Sequence, residues 1–304
     1  MLVFFDDERC ADVALAGGKG ASLARMTALG LPVPPGFVVS ADALEAALST
    51  TAAAIREVLA GGEDLATISA EATALVRAAD SGGAFPDQVA DAYQRLGDGD
   101  VAVAVRSSAT AEDSEAASFA GQQETYLHVR GVEQIVERIR DCWCSFFTER
   151  ALFYRSKKGS LSDLGMAVVV QRMVEPDVSG VMFTIDPTKG RRDRMVVEAV
   201  FGLGEGVVSG QLTPDHYVLA RDGRLKRTKL TTQPYAIVHD PAGGVREQRL
   251  APERGEAQTL AEEQLARLAK VGIDLEQRLG GPQDIEWAIQ DDELFVLQSR
   301  PVTT

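Results

Sequence analysis

The chain has 304 residues, of which 31 are basic and 45 acidic, for a formal charge of −14. This length exceeds what one small core can organise, so two lobes or domains are expected. The acidic balance argues against a nucleic-acid backbone as the main partner. Since no apolar run is long enough to cross a bilayer, no membrane partner is expected either.

The hydrophobic content of 45% is that of an ordinary globular protein. The first residues lack the basic region and long apolar stretch of a signal peptide. Cys10, Cys142 and Cys144 form no metal-ligand pattern, and buried thiols are favoured over a disulfide. Together these features predict a cytoplasmic location.

The first hundred residues predict helices around one early strand. A Gly-Gly-Lys-Gly run at residues 17–20 precedes a helix-forming stretch that ends at Gly30. A strand is expected at 37–39, with Ser40 capping the next helix. Residues 41–96 favour Ala-rich supporting helices, and no chemistry is apparent there.

Strands dominate the middle of the chain. The apolar residues 101–105 predict a buried strand that delivers Arg106 to its end. Residues 131–147 have helical spacing, and 166–170 form another apolar strand. Residues 171–176 are expected to connect the two lobes.

The second half predicts strands at 180–184, 195–200 and 216–220. Thr259 and Glu262 have the spacing of a capping box that opens a helix to about residue 279. Two closing strands, 284–289 and 294–298, would be joined by a turn at residues 291–292. This mixture predicts an α+β (mixed α/β) fold. Its lobes would be 1–170, with a lid, and 171–304, with the terminal hairpin.

The terminal hairpin is the sharpest local prediction. Side chains alternate faces along a strand, so Asp284 and Glu286 share one face, and Gln298 and Arg300 share a face on the partner strand. A three-residue turn would set Glu286 opposite Gln298. Their oxygens would suit Mg²⁺, with a guanidinium just beyond. An ordinary exposed hairpin with polar side chains facing water is the alternative.

Two further cations are candidates for binding phosphate. Arg106 is followed by small residues that would let a ligand approach, although an ion pair with Glu112 or Asp113 is the alternative. Lys19 is flanked by glycines, but the run fails the P-loop pattern because Gly20 stands where Ser or Thr should bind the metal.

Two other features are assigned no catalytic role. The glycine-rich residues 202–207 fail the dinucleotide fingerprint, because the third glycine comes one position early, and a flexible loop near phosphate or a tight turn is expected instead. His128, His216 and His239 have no neighbouring nucleophile, so structural roles are expected for all three.

Taken in order, nine motifs resemble the ATP-binding domain of the phosphoenolpyruvate synthase, pyruvate phosphate dikinase and rifampin phosphotransferase family. The likeness spans nearly the whole chain and is greatest to phosphoenolpyruvate synthase. The matching stretches are residues 17–23, 33–37, 105–113, 118–125, 171–174, 179–183, 202–205, 284–287 and 298–301.

The resemblance implies an ATP-grasp-like fold that clamps ATP between two lobes. Lys19 and Arg106 would contact the phosphates, and Arg300 would bind the phosphate undergoing transfer, which makes these three the expected catalytic residues. Mg²⁺ would be held by Glu286 and Gln298. The remaining ATP-binding residues would be Asp284 in support of the site, Gln171, Met173, Val174 and Glu175 around adenine, and Gly121 to Thr125 in the lid.

In this family ATP phosphorylates a histidine on a separate swivelling domain, which carries the phosphoryl group to an acceptor site. No Thr-Ser-His-Ala type motif occurs here, so the carrier and acceptor domains would be partners, acting in trans or belonging to a longer enzyme. Three alternatives stay open. They are a non-catalytic ATP-binding regulatory module, a rifampin phosphotransferase-type antibiotic kinase domain and a carboxylate ligase.

Overall fold

The computed structural model describes residues 1–48, 51–61, 64–79, 84–109, 124–158, 165–188 and 190–302. The chain divides into two compact units, unit 1 with Met1–Leu29 and Pro35–Met173, and unit 2 with Gly30–Pro34 and Val174–Thr304. The predicted mixed α/β class is confirmed, because each unit combines helices with an antiparallel sheet. The division into lobes 1–170 and 171–304 stays a prediction, since it concerns how ATP is held.

In the part of unit 1 that the structure describes, there are five strands and a series of mostly Ala-rich helices. Its helices are α1 Val13–Ala28, α2 Ala41–Ala47, α3 Ala52–Ala60, α4 Leu65–Ala78, α5 Ala84–Gln94, α6 Val132–Ser145 and α7 Glu149–Lys158, with a 3-10 turn at Glu8–Ala11. Its strands are β1 Leu2–Phe4, β2 Gly36–Val39, β3 Val103–Ala109, β4 Thr125–Val129 and β5 Met166–Arg172. The predicted helices within 41–96 and 131–147, and the strands at 37–39 and 166–170, are confirmed.

The strands of unit 1 pair antiparallel in the order β1-β2-β5-β3-β4. One face of this sheet joins the main apolar core, where Val105 and Val168 are buried together with Trp143 of α6. Side chains alternate along β3, so the neighbouring residues point to the other face. Helix α1 lies on that second face, where a Cβ at Gly20 would meet Val38 Cγ2 at 2.9 Å.

Three local predictions for unit 1 need correction. Helix α1 begins at Val13, so the Gly-Gly-Lys-Gly run lies within it rather than before it. Strand β3 continues to Ala109, which puts Arg106 in mid-strand rather than at the end, because pairing with β5 persists after the apolar run stops. Ser40 is the N-cap residue of α2, but its side chain makes no capping hydrogen bond.

Unit 2 contains a six-stranded antiparallel sheet of order β13-β12-β6-β7-β8-β9 and a separate hairpin of β10 and β11. Its strands are β6 Val178–Phe183, β7 Arg194–Phe201, β8 Asp215–Ala220, β9 Leu225–Lys229, β10 Tyr235–His239, β11 Val245–Arg249, β12 Gln283–Gln290 and β13 Glu293–Pro301. Its helices are α8 Glu205–Val208, α9 Pro252–Gly255 and α10 Glu262–Leu279. The five predicted strands and the long helix are confirmed.

The two faces of the six-stranded sheet differ in character. Helix α10 packs on one face, where Gly272 lies so close to Met182 that an added Cβ would meet its Cε at 2.7 Å. Ile285 pairs with Met182 and is fully buried on that side. Residues that alternate with these, including Glu286, therefore lie on the opposite face, which we call the site face.

The start of α10 differs from its prediction. The helix begins at Glu262, and the backbone N–H of Ala261 donates to Oε1 of Gln264 at 2.9 Å. The predicted capping box of Thr259 with Glu262 is wrong, because the Thr259 hydroxyl donates to the buried Asp215 instead.

The cysteines Cys10, Cys142 and Cys144 are buried free thiols, as predicted. Burial, and secondarily the charges of nearby aspartates, raises the pKa of Cys10 to about 12. Across the described residues, no helix has both the length and the hydropathy that a membrane span requires.

Candidate functional site

In unit 1, the side chain of Ser108 on β3 bridges two backbone groups of helix α1. The Ser108 hydroxyl donates to the carbonyl of Ala16 at 2.9 Å and accepts from the N–H of Gly20 at 3.3 Å. Those two backbone groups would bond directly in an unbroken helix. The helix is interrupted at the same place, where Gly17 has φ 68° and ψ 174°. An inserted side chain is a recognised cause of such a kink.

This insertion requires glycine at position 17. A Cβ there would lie 2.3 Å from the carbonyl oxygen of Ser108. The backbone angles also fall in a region that is essentially restricted to glycine. The motifs at residues 17–23 and 105–113 are thus in direct contact, which explains why Gly17 and Ser108 occur in them.

The contact places Lys19 against the strand that contains Arg106. Lys19 is only 8% exposed, and its Nζ donates to the carbonyl oxygen of Ser107 at 3.0 Å. Arg106 and Ser108 alternate with Ser107, so their side chains lie on the face that α1 covers. Both predicted phosphate-binding cations are therefore on one face of the unit 1 sheet.

Two other predicted residues share that face. Thr125 is directly opposite Arg106 on β4, and Gln171 is opposite Ala104 on β5. Thr125 is exposed, whereas Gln171 is 4% exposed. The alternative partners Glu112 and Asp113 of Arg106, and the predicted lid residue Gly121, lie outside the described residues.

In unit 2, the terminal hairpin has the predicted pairing for a different reason. Glu286 lies opposite Gln298, and Asp284 opposite Arg300. The turn has two residues rather than three, Asp291 and Asp292, with φ of 51° and 64°. Positive φ at both central residues is typical of a type I′ hairpin turn.

A β-bulge on β13 shifts the pairing by one residue and so brings Gln298 opposite Glu286 despite the shorter turn. Pairing shifts between Glu286 and Trp287, where Trp287 faces Val296 and Glu286 faces Gln298. Leu297 is thus the extra residue on β13. Without this bulge, the two-residue turn would set Leu297, not Gln298, opposite Glu286. Bulges of this kind are common beside active sites, where they redirect side chains.

Asp284 and Arg300 form an ion pair beside the paired oxygens. Nε and Nη2 of Arg300 both lie 2.8 Å from Oδ2 of Asp284. Burial raises the pKa of the Asp284 carboxyl, Arg300 opposes this effect, and the charge of Glu286 adds to it. The guanidinium is held in place while the Arg300 side chain stays 62% exposed.

These residues fit a magnesium ion. Glu286 offers a carboxylate and Gln298 an amide carbonyl from directly opposite positions, and hard oxygen ligands of this kind are what Mg²⁺ prefers. Burial is the main cause of the raised pKa of Asp284, and the charge of Glu286 adds to it; a cation would offset that added charge. The metal-binding roles of Glu286 and Gln298 stay predictions.

The predicted adenine segment is distributed between the two units. In unit 1, the N–H of Met173 donates to the carbonyl of Ala102 at 2.9 Å. In unit 2, Val174 is buried, and the N–H of Glu175 donates to Oε1 of Gln290 at 2.8 Å. The Glu175 carboxylate lies 3.0 Å from Nδ1 of His239.

Sequence reasoning missed the roles of Ser108 and Leu297. Ser108 belonged to a noted motif, but only the fold shows that its hydroxyl completes the hydrogen bonding of α1. Leu297 has an apolar side chain that gives no signal of a bulge. The strand that contains Glu198 carries a further signal, namely one carboxylate in an otherwise apolar run.

Comparison with known proteins agrees with the motifs. Residues 13–304 match the family described as "Pyruvate phosphate dikinase, AMP/ATP-binding domain". The chain is 39% identical to a probable phosphoenolpyruvate synthase of Methanocaldococcus jannaschii, over 100% of this chain and 27% of that protein. It is 37% identical to the phosphoenolpyruvate synthase of Pyrococcus furiosus, over 99% of this chain and 43% of that protein. Rifampicin phosphotransferase of Bacillus cereus is 39% identical, over 95% of this chain and 34% of that protein.

The chain thus spans between about a quarter and a half of the length of these relatives. Among solved structures, D-alanyl-alanine synthetase A of Vibrio cholerae is similar at a TM-score of 0.38 and 12% identity, over 94% of this chain and 58% of that one. The family match extends over nearly the whole chain and confirms the predicted resemblance to an ATP-binding domain of this family. The chain belongs to the AMP/ATP-binding domain family of pyruvate phosphate dikinase.

Proposed function

We propose that this chain is an ATP-grasp-like module that binds Mg·ATP and transfers a phosphoryl group to a histidine of a separate carrier domain. The proposed reaction is the nucleotide half of a phosphoenolpyruvate synthase-like cycle, with the final acceptor on another domain. A cytoplasmic location suits this proposal, because the thiols Cys10, Cys142 and Cys144 would stay reduced there.

The register of the terminal hairpin is the observation that carries the proposal. It sets Glu286 opposite Gln298, both of which have side-chain oxygens, and places the Asp284–Arg300 ion pair two residues further along the same strands. An ordinary exposed hairpin would not require a buried, guanidinium-paired aspartate with a raised pKa, because burying a carboxylate is unfavourable. A site that binds a cation and a phosphate accounts for both the buried carboxylate of Asp284 and the guanidinium of Arg300.

The roles follow from the charges. Arg300 would bind the phosphate that is transferred, with its guanidinium oriented by Asp284. Lys19 and Arg106 would bind the other phosphates, and Lys19 would exchange its contact with the Ser107 carbonyl for a phosphate oxygen. Bound Mg²⁺ would be held by Glu286 and Gln298 and would neutralise charge on the phosphates. Phosphoryl transfer depends mainly on such positioning and charge compensation.

The test is transfer of label from ATP. ATP labelled on its β or γ phosphate would be incubated with the chain, Mg²⁺ and a carrier domain that presents a histidine. Arg106→Ala and Arg300→Ala are each expected to lower the transfer rate by about 100-fold or more, the scale of losing one preorganised donor. Arg246→Ala, on the exposed strand β11, is the control and should leave the rate unchanged.

The outcomes separate the alternatives. Transfer that Arg106→Ala and Arg300→Ala leave intact would reject the proposed roles. Tight binding of Mg·ATP, measured by calorimetry, without label on any histidine would favour a regulatory module that performs no chemistry.

One observation favours a second acceptor. The identity to rifampicin phosphotransferase of Bacillus cereus equals that to the Methanocaldococcus relative, at 39%. We therefore propose an antibiotic kinase as the second candidate, with the same nucleotide half-reaction. Coupling the phosphorylated carrier to pyruvate and to rifampin in parallel would distinguish the two, since only one should discharge it.

A further inference from the structure

The site face of unit 2 carries a second polar group that the proposed roles do not use. Following the strand register from β13 to β9, one row of directly paired residues crosses the whole sheet. Its members are Gln298, Glu286, Val181, Glu198, His216 and Lys229. Directly paired residues project on the same side of a sheet, so Glu198 shares the site face with Glu286.

Glu198 is an unusual residue for its position. It lies in the middle of β7, whose other residues between Met195 and Phe201 are all buried and apolar. A carboxylate in such a strand is unfavourable unless it is used. Across the sheet, β6 approaches the backbone of Glu198 so closely that a Cβ on Gly180 would lie 1.8 Å from its carbonyl oxygen.

His216 orients that carboxylate. Its Nδ1 lies 3.4 Å from Oε1 of Glu198, and the two side chains are 37% and 32% exposed. A carboxylate oxygen is a hydrogen-bond acceptor, so the imidazole tautomer with a hydrogen on Nδ1 donates to it. A partly exposed pair of this kind contributes little to stability, so its occurrence in a buried strand is better explained by a ligand than by folding.

The distance from the magnesium pair limits the ligand. Glu198 and Glu286 are two strands apart, which is about 10 Å at a strand spacing of about 4.8 Å. Two catalytic metals are about 4 Å apart, so this spacing excludes a shared two-metal site. A phosphate is excluded as well, because like charges would repel. A carboxylate at this separation suits a neutral group with hydroxyl donors, beyond the phosphates of the same nucleotide.

We infer that Glu198, oriented by His216, recognises the ribose hydroxyls of the bound nucleoside triphosphate. An acidic residue that accepts hydrogen bonds from ribose hydroxyls is a general solution for nucleotides. The inference rests on the proposed binding of Mg·ATP. It assigns Glu198 a binding role and His216 a positioning role, and it leaves the phosphoryl-transfer residues unchanged.

The experiment is a cycle between protein and ligand variants. Calorimetry would measure the affinities of the whole chain and of Glu198→Ala for Mg·ATP and for Mg·2′,3′-dideoxy-ATP, which lacks both hydroxyls. The unmodified chain should prefer ATP by about tenfold or more, the scale of a hydrogen bond to a charged group. In Glu198→Ala the preference should fall below about threefold, through loss of ATP affinity alone.

Two further variants test the positioning role and the specificity of the effect. His216→Ala should lose part of the preference for ATP, whereas His216→Asn, which keeps a donor near the position of Nδ1, should retain it. Glu263→Ala removes an exposed carboxylate from α10, on the other side of the sheet, and should behave as the unmodified chain.

The failures are distinguishable. If the unmodified chain binds neither nucleotide, the proposed function fails and the inference fails with it. If the chain binds Mg·ATP and Glu198→Ala keeps the full preference over the dideoxy nucleotide, the inference is wrong while the proposed function stands. An equal loss of affinity for both nucleotides in Glu198→Ala also overturns it, because a ribose contact cannot weaken the dideoxy ligand.

Discussion

Replacing Gly17 by alanine tests whether the glycine motif exists to join α1 to β3. The backbone at Gly17, with φ 68° and ψ 174°, costs a non-glycine residue about 1–3 kcal/mol. The new Cβ would also lie 2.3 Å from the Ser108 carbonyl oxygen, so the helix must move away. Movement would break the two hydrogen bonds of the Ser108 hydroxyl, at about 1 kcal/mol each. Gly17→Ala should therefore destabilise unit 1 by about 3–5 kcal/mol.

The assay is urea unfolding of unit 1 followed by tryptophan fluorescence. The chain has two tryptophans. Trp143 lies in unit 1 and Trp287 in unit 2, so a Trp287→Phe background leaves one reporter for unit 1. Gly99→Ala is the matched control, because Gly99 has φ +75° and nothing within 4 Å of an added Cβ. Only the backbone cost of about 1 kcal/mol is expected there.

Comparing Gly17→Ala with Gly99→Ala shows whether the contact with Ser108 contributes to stability. If Gly17→Ala is no more destabilising than Gly99→Ala, the contact with Ser108 does not matter and the explanation of the motif is wrong. Ser108→Ala gives a second check, with an expected loss of about 1–3 kcal/mol, because it leaves the buried N–H of Gly20 and carbonyl of Ala16 without their bridge.

Three further predictions concern stability and reactivity. Asp215→Ala should lower the free energy of unfolding of unit 2 by about 3–5 kcal/mol in urea, because the buried carboxylate accepts hydrogen bonds from both the N–H and the hydroxyl of Thr259. A decrease below about 1 kcal/mol would contradict this. Burial opposes it, but hydrogen bonds from Arg221 and Thr184 lower the pKa of Glu276. The ionised carboxylate therefore stabilises the fold above its unfolded pKa, and this contribution is lost on acidification. Glu276→Gln should flatten the fall in the free energy of unfolding below about pH 5, and an unchanged pH profile would refute the assignment. Cys10, with its pKa raised to about 12 by burial and then by nearby carboxylates, should resist iodoacetamide at pH 8 in the folded chain and react after unfolding, as mass spectrometry would show.

Much of this protein follows from local pattern. Apolar runs predict β3 and β5, and helical spacing predicts α6, because burial of one face is set by neighbours in the chain. The polar clusters at 17–20, 105–113 and 284–300 have residue types that suit phosphate and a hard cation. The family follows from the order of these motifs along the chain.

What the sequence could not decide depends on contacts between distant residues. It indicated that Lys19 and Arg106 belong together, but only the folded sheet shows the Ser108 hydroxyl inserted into α1, and with it the need for Gly17. The pairing of Glu286 with Gln298 was predicted from a three-residue turn and is made instead by a two-residue turn and a bulge, since equal registers can arise from different backbones. The row that leads from Glu286 to Glu198 joins β12 to β6 and β7, which lie far earlier in the chain. Strand order and register are properties of tertiary packing, and they alone determine which side chains share a face.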